Sequence, residues 1–168
     1  MEALSASLEP IDVSLDNLFL DPNNPRFVGK DWVRINDDAI HLAENQQTAR
    51  ETLIRTAGID KLRANMEING YLPIDRIVVR RISEENFVIL EGNRRICAAK
   101  TLASYTKQGT LVDDTVLESL NEIPCLEYTG SDENAAWIFQ GLRHISGIVD
   151  WSSYNKARLL VEQMETEK

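Results

Sequence analysis

Cysteine and histidine are scarce in this 168-residue chain, with two of each. Cys97 and Cys125 stand in no metal or redox spacing, and His41 and His144 have no clustered partners, which argues against a zinc or dithiol centre. Both cysteines read as small buried apolar residues, one on a helix and one on a strand. No apolar run reaches the roughly 18 residues of a membrane span. The N-terminus lacks the basic-then-apolar pattern of a secretory signal, so the expectation is a cytoplasmic protein with no membrane partner. An excess of base is also missing. With 18 Lys and Arg against 27 Asp and Glu, the net charge is −9, which argues against the whole chain clamping nucleic acid. There is no internal repeat and no low-complexity stretch.

What is there is a soluble composition, 43% apolar and 27% charged, long enough for one domain with a sizeable core. The charge is unevenly spread. From Arg76 to Lys100 there are six bases and three acids, a local +3 inside an acidic chain. At its centre lies FVILEGNRRICAAKTL, Phe87 to Leu102, which reads as a strand, a tight turn and a helix with two arginines in its first turn. Gly92 lets backbone come close to a ligand, and the helix start presents unpaired N–H groups to an anion. Arg94 and Arg95 add guanidinium forks suited to phosphate or carboxylate. The alternative is a solvated helix start whose arginines pair with some of the many acids. A small anion suits this charge pattern better than a long polyanion.

Along the chain, residues 11–15 alternate as a strand, and LFLDPNNPRF (Leu18–Phe27) reads as loop, with Arg26 held by the stiff Asn24-Pro25 backbone. Residues 29–47 show no period. Helices are expected at 48–56 and 59–68, the second stopped by Asn69-Gly70, with Pro73 barring its resumption. Strands are expected at 77–79 and 87–90, a helix from Asn93 to Lys107, a short helix near 115–120 and a strand at 123–128. A helix starts with Ser131 as its cap and runs to about His144. A last helix from Trp151 carries Tyr154, Ala157, Leu160, Val161 and Met164 on one stripe, which needs a body, a second copy or a further domain to pack on.

The order of these elements, with Asn69-Gly70, Pro73, IVVRR, a strand and EGNRRICAAK in succession, resembles the N-terminal domain of ParB-like proteins, the ParB/sulfiredoxin fold. The resemblance runs from Ile59 to about Leu160, and Gly92, Arg94, Arg95, Ala98 and Ala99 fall where the family's G-E-R-R-x-x-A-A pattern expects them. It implies an α+β fold, a small mixed sheet packed with helices, over residues 1–150. Residues 151–168 would be a C-terminal amphipathic helix leading into a missing domain. It also implies a nucleotide site for CTP or ATP, with Mg²⁺, built from three patches. The Pro-Arg patch is similar to Pro25-Arg26, and the turn matches Gly92-Asn93-Arg94-Arg95. The third, E-N-x-Q-R, falls on Phe139 to Arg143, with Gln140 as polar substitute. Two departures stand out. Asn93 replaces the turn's glutamate, and Phe139 replaces an acid that helps hold the metal, which wants oxygen ligands. In sulfiredoxins the matching turn is Gly-Cys-His-Arg; Asn93 stands at the position of that catalytic cysteine.

Three functions are compatible with these residues. The first is a nucleotide-binding switch in which Arg26, Gly92, Asn93, Arg94, Arg95, Gln140 and Arg143 hold phosphates. It would control self-association, expected as a homodimer, or engagement of DNA through another domain or subunit. The second is an enzyme, a nucleoside triphosphatase or nuclease, with Glu91 as candidate base and Asp21 and Glu127 behind it. The third is a non-catalytic DNA- or protein-interaction module. The switch ranks first.

Overall fold

β3 (Ile77–Arg81) and β4 (Phe87–Glu91) form the middle of the molecule, and their composition explains why. Strand side chains alternate between faces. Ile77, Val79, Phe87 and Ile89 enter one hydrophobic cluster, while Val78, Val88 and Leu90 enter another. Strands that are apolar on both sides must be covered on both sides. The computed structural model describes residues 7–145, with side chains through 142.

Around this pair stand β1 (Leu8–Ser14), the two-residue β2 (Leu18–Phe19) and β5 (Glu122–Tyr128), in the order β1-β5-β3-β4-β2. β1 runs antiparallel to β5, with Leu8 opposite Tyr128 and Ser14 opposite Glu122. β5 is parallel to β3, and β4 is antiparallel to β3, with the register shifting between Val78 and Val79. β2 is parallel to β4. The sheet is therefore mixed, and with its helices the fold is α+β.

The larger cluster takes α2 (Ala43–Thr56), α3 (Ile59–Asn69) and α4 (Asn93–Lys107) through Leu53, Ile59, Met66, Ile96 and Leu102. The short α5 (Asp114–Ser119) joins it through Val116, with Asp113 accepting from the Thr115 N–H at its start. α6 (Ala135–Ile145) contributes to the other cluster through Ala135 and Phe139, together with Ile40 from α1 (Asp37–Ile40).

Two helix starts differ from expectation. α2 begins at Ala43, in a stretch without apolar period, because its first turn is used for polar work. The Gln46 amide accepts from Leu20 N–H at 2.9 Å and donates to the carbonyls of Leu20 and Ile40, each at 2.8 Å. Gln46→Ala would strand these groups, and we expect a loss of about 2 kcal/mol in chemical denaturation. α6 begins at Ala135 rather than at Ser131, since the Asp132 carboxylate takes the Asn134 N–H at 2.8 Å and turns the chain first. The stripe expected from Trp151 onward lies outside the described residues.

Candidate anion site at the Gly92 turn

The turn after β4 is made by Gly92, whose φ of 106° lies where side-chain-bearing residues are strained. α4 starts immediately behind it, so the first N–H groups of a 15-residue helix open at the turn. Arg26 arrives from a 3-10 turn, Pro25–Phe27, held by buried Asn24, which accepts from the Arg26 N–H at 2.9 Å. Arg26 and Arg94 come close enough that burial and the Arg94 charge both pull the Arg26 pKa down, while Glu91 pulls it back up. A β-carbon placed on Gly58, at the start of α3, would stand 3.9 Å from Arg94 Nη2. Two arginines and two helix N-termini thus converge.

Arg94 is the unsatisfied member. Its Nε is buried with no acceptor, and its guanidinium enters no ion pair within 4.0 Å among the described residues. Arg63 Nε also lacks an acceptor, but that guanidinium pairs with Glu67 at 2.9 Å. A buried donor left unmade costs about 1–3 kcal/mol, and an arginine repelled by another arginine adds to that. An anion between Arg26 and Arg94 would relieve both.

The other residues expected at this site are placed differently. Arg95 points away from Arg94, donating to the Asp75 carbonyl and lying 3.6 Å from the Asp75 carboxylate, beside buried Tyr71. Its work is to pin the 71–76 loop. The Asn93 side chain is buried and braces the backbone, accepting from Asp21 N–H at 2.8 Å and donating to the Ile89 carbonyl at 2.9 Å. Gln140 is buried beneath the turn and donates to the Leu90 carbonyl at 2.8 Å, tying α6 to the end of β4. Arg143 lies in the last turn of α6, and its side chain lies outside the described residues. Glu91 ends β4 with its charge beside Arg26. Cys97 is fully buried, and burial pushes its thiol up to about 11, so it offers no thiolate.

The described residues build no cage of their own for a magnesium ion. Among the described residues no three His, Cys, Asp or Glu side chains gather around one point. Phe139, at the position where an acid was expected, stacks edge-on against Tyr128 with ring centroids 5.5 Å apart. A magnesium ion here would take most of its oxygens from phosphate and water.

A second charged group gathers around Asp21. Asp21 is buried, accepts from the Asn23 N–H at 2.8 Å, and feels the charges of Arg80, Arg34 and Asp37. Arg80 closes bidentately on Asp37 at 2.6 and 2.9 Å. These residues come from distant segments, and only the folded sheet brings them together.

What fold and site define is an α+β domain with a cationic turn at the end of a central strand. No family model matches the sequence, and no curated protein matches it. Among solved structures, the chain is similar to the C-terminally truncated chromosome-partitioning protein ParB of Caulobacter crescentus, complexed with CTP-γ-S. The identity is 15% and the TM-score 0.47, over 94% of this chain and 65% of that one. The chain therefore spans about two thirds of that structure's length. No helix among the described residues is long and apolar enough to cross a membrane.

Proposed function

We propose that this chain is a nucleotide-binding domain in which the Gly92 turn and the Arg26–Arg94 pair take the phosphates of CTP or ATP. The observation that carries the reading is Arg94: a guanidinium with a buried, unsatisfied Nε, next to a second arginine and at a helix start. Phosphate oxygens supply the acceptors this group lacks, and charge-assisted contacts of that kind are the strong ones. The motif resemblance adds the nucleotide to the anion.

Binding would exchange the repulsion between Arg26 and Arg94 for a shared attraction. That draws the Pro25–Phe27 turn toward α4, the type of movement through which a nucleotide controls self-association or DNA engagement. Binding is proposed rather than turnover; the candidate base Glu91 lies beside Arg26.

Calorimetry with CTP and with ATP tests the reading. Arg94→Ala is expected to weaken the bound nucleotide by about thirtyfold, corresponding to about 2 kcal/mol. Arg95→Ala is expected to change affinity by less than about threefold while lowering the melting temperature, since it removes the anchor of the 71–76 loop. Unchanged affinity for both nucleotides in Arg94→Ala would overturn the proposal.

A further inference from the structure

A cavity of about 420 Å³ lies between the 34–37 segment, Arg80 of β3 and the turn from Gly130 to Glu133. None of the residues at the Gly92 turn lines it, and its volume is that of a small-molecule site. Its walls are fixed. Asn23 grips Ile35 with two hydrogen bonds of 2.8 Å, one to its N–H and one to its carbonyl, which holds the segment carrying Arg34. Arg80 and Asp37 lock each other in a bidentate pair. On the turn, a β-carbon on Gly130 would overlap the Tyr128 ring, so the backbone packs flat there, and the Asp132 N–H donates to the Tyr128 hydroxyl at 3.3 Å.

The charges inside this frame are left open. Arg34 makes no hydrogen bond and no ion pair within 4.0 Å among the described residues. The Glu133 carboxylate and the Ser131 hydroxyl are likewise without a hydrogen-bond partner there, and Asp132 spends one oxygen on the Asn134 N–H. A guanidinium and carboxylates therefore share one cavity without closing on each other. Two bases, Arg34 and Arg80, face three acids, Asp37, Asp132 and Glu133, an excess of one negative charge. A purely anionic ligand would meet that excess, and a bare cation would leave Arg34 unmatched.

We propose that this cavity binds a small zwitterion carrying one further cation, the chemistry of a basic amino acid. Its carboxylate lies on Arg34 and its ammonium groups on Glu133 and Asp132. Preformed walls reduce the ordering cost of binding, and the exposed charges make it salt-sensitive.

L-lysine is the probe, titrated into the isotope-labelled full chain at low ionic strength and followed by NMR. Saturable shifts confined to residues 34–37, 80 and 130–133 are expected. Cadaverine, which lacks the carboxylate, is expected to bind about tenfold more weakly, the loss of one charge-assisted contact. Arg34→Ala should abolish that preference, and Glu133→Gln should weaken L-lysine by a similar factor. Both side chains are exposed, and unchanged melting curves show that neither variant is unfolded. Arg94→Ala is expected to leave L-lysine binding as it was, so the outcome is independent of the phosphate reading. Shifts that do not saturate, that fall elsewhere, that are equal for L-lysine and cadaverine, or that persist unchanged in both cavity variants would overturn the proposal.

Discussion

Gly92→Ala is expected to lower the stability of this domain by about 4 kcal/mol and its melting temperature by roughly 10 °C. Two costs add. At φ 106° and ψ 12° an alanine is held in a conformation that L side chains rarely adopt, worth about 1–3 kcal/mol. Its β-carbon would also overlap Ile77 Cδ1 and stand 3.3 and 3.4 Å from Cγ2 and Cγ1. Ile77 is fully buried in the larger cluster and has nowhere to retreat, so overpacking adds about 1–3 kcal/mol. The double variant Gly92→Ala with Ile77→Val separates the two. Valine lacks Cδ1, so the pair is expected to be about 1 kcal/mol more stable than the sum of the single changes, although Ile77→Val alone costs about that much. Thermal melts of the four proteins decide it. A Gly92→Ala protein within about 1 kcal/mol of the parent would show that the turn can relax away from Ile77.

The same glycine illustrates how much of the chain could be read in advance. The β-branched run Ile77-Val78-Val79 and the apolar run Phe87–Leu90, parted by the polar turn at residues 83–86, are local signals, and the two central strands follow from them. The spacing of Ile96, Ala99, Leu102 and Ala103 does the same for α4. A reason for Gly92 was also legible, but only its ligand half. Its contact with Ile77 depends on how β3 and β4 pair, which is a tertiary fact. Arg94 and Arg95 are neighbours in sequence but sit about 100° apart around a helix, so they cannot both face one ligand easily. One turns to Arg26 and the other to Asp75. Asn93 and Gln140 are polar, and polarity alone does not distinguish a ligand contact from a buried brace; their partners are the backbone of Asp21, Ile89 and Leu90. α2 begins at Ala43, ahead of the stretch that its apolar spacing announces, because Gln46 in its first turn satisfies Leu20 and Ile40 instead of joining an apolar stripe. The charged cavity draws on three segments far apart in sequence, and no local pattern announces it.

Asp21 leads to the second large effect, a dependence of stability on pH that one substitution removes. Burial raises its carboxyl from the ordinary 3.8 to about 7, against the opposing pull of the Asn23 N–H, Arg80 and Arg34. A carboxyl whose folded value lies above its unfolded one favours the fold while protonated. Its contribution is complete below about pH 4 and is lost as pH rises through 7. The full difference is roughly 4 kcal/mol, taking 1.36 kcal/mol for each unit. Asp21→Asn keeps an oxygen to accept the Asn23 N–H and cannot ionise, so it mimics the protonated acid at every pH. Parent and variant are therefore expected to match in denaturant unfolding at pH 4, with the variant more stable by several kcal/mol at pH 8. Because the Asp21 N–H also donates to Asn93 at the first residue of α4, the Gly92 turn should hold its geometry better in the variant at alkaline pH. Amide exchange of residues 92–96 reads that directly. Parallel pH profiles for the two proteins would mean that Asp21 is ionised in the fold, with Arg80 and Arg34 compensating its burial.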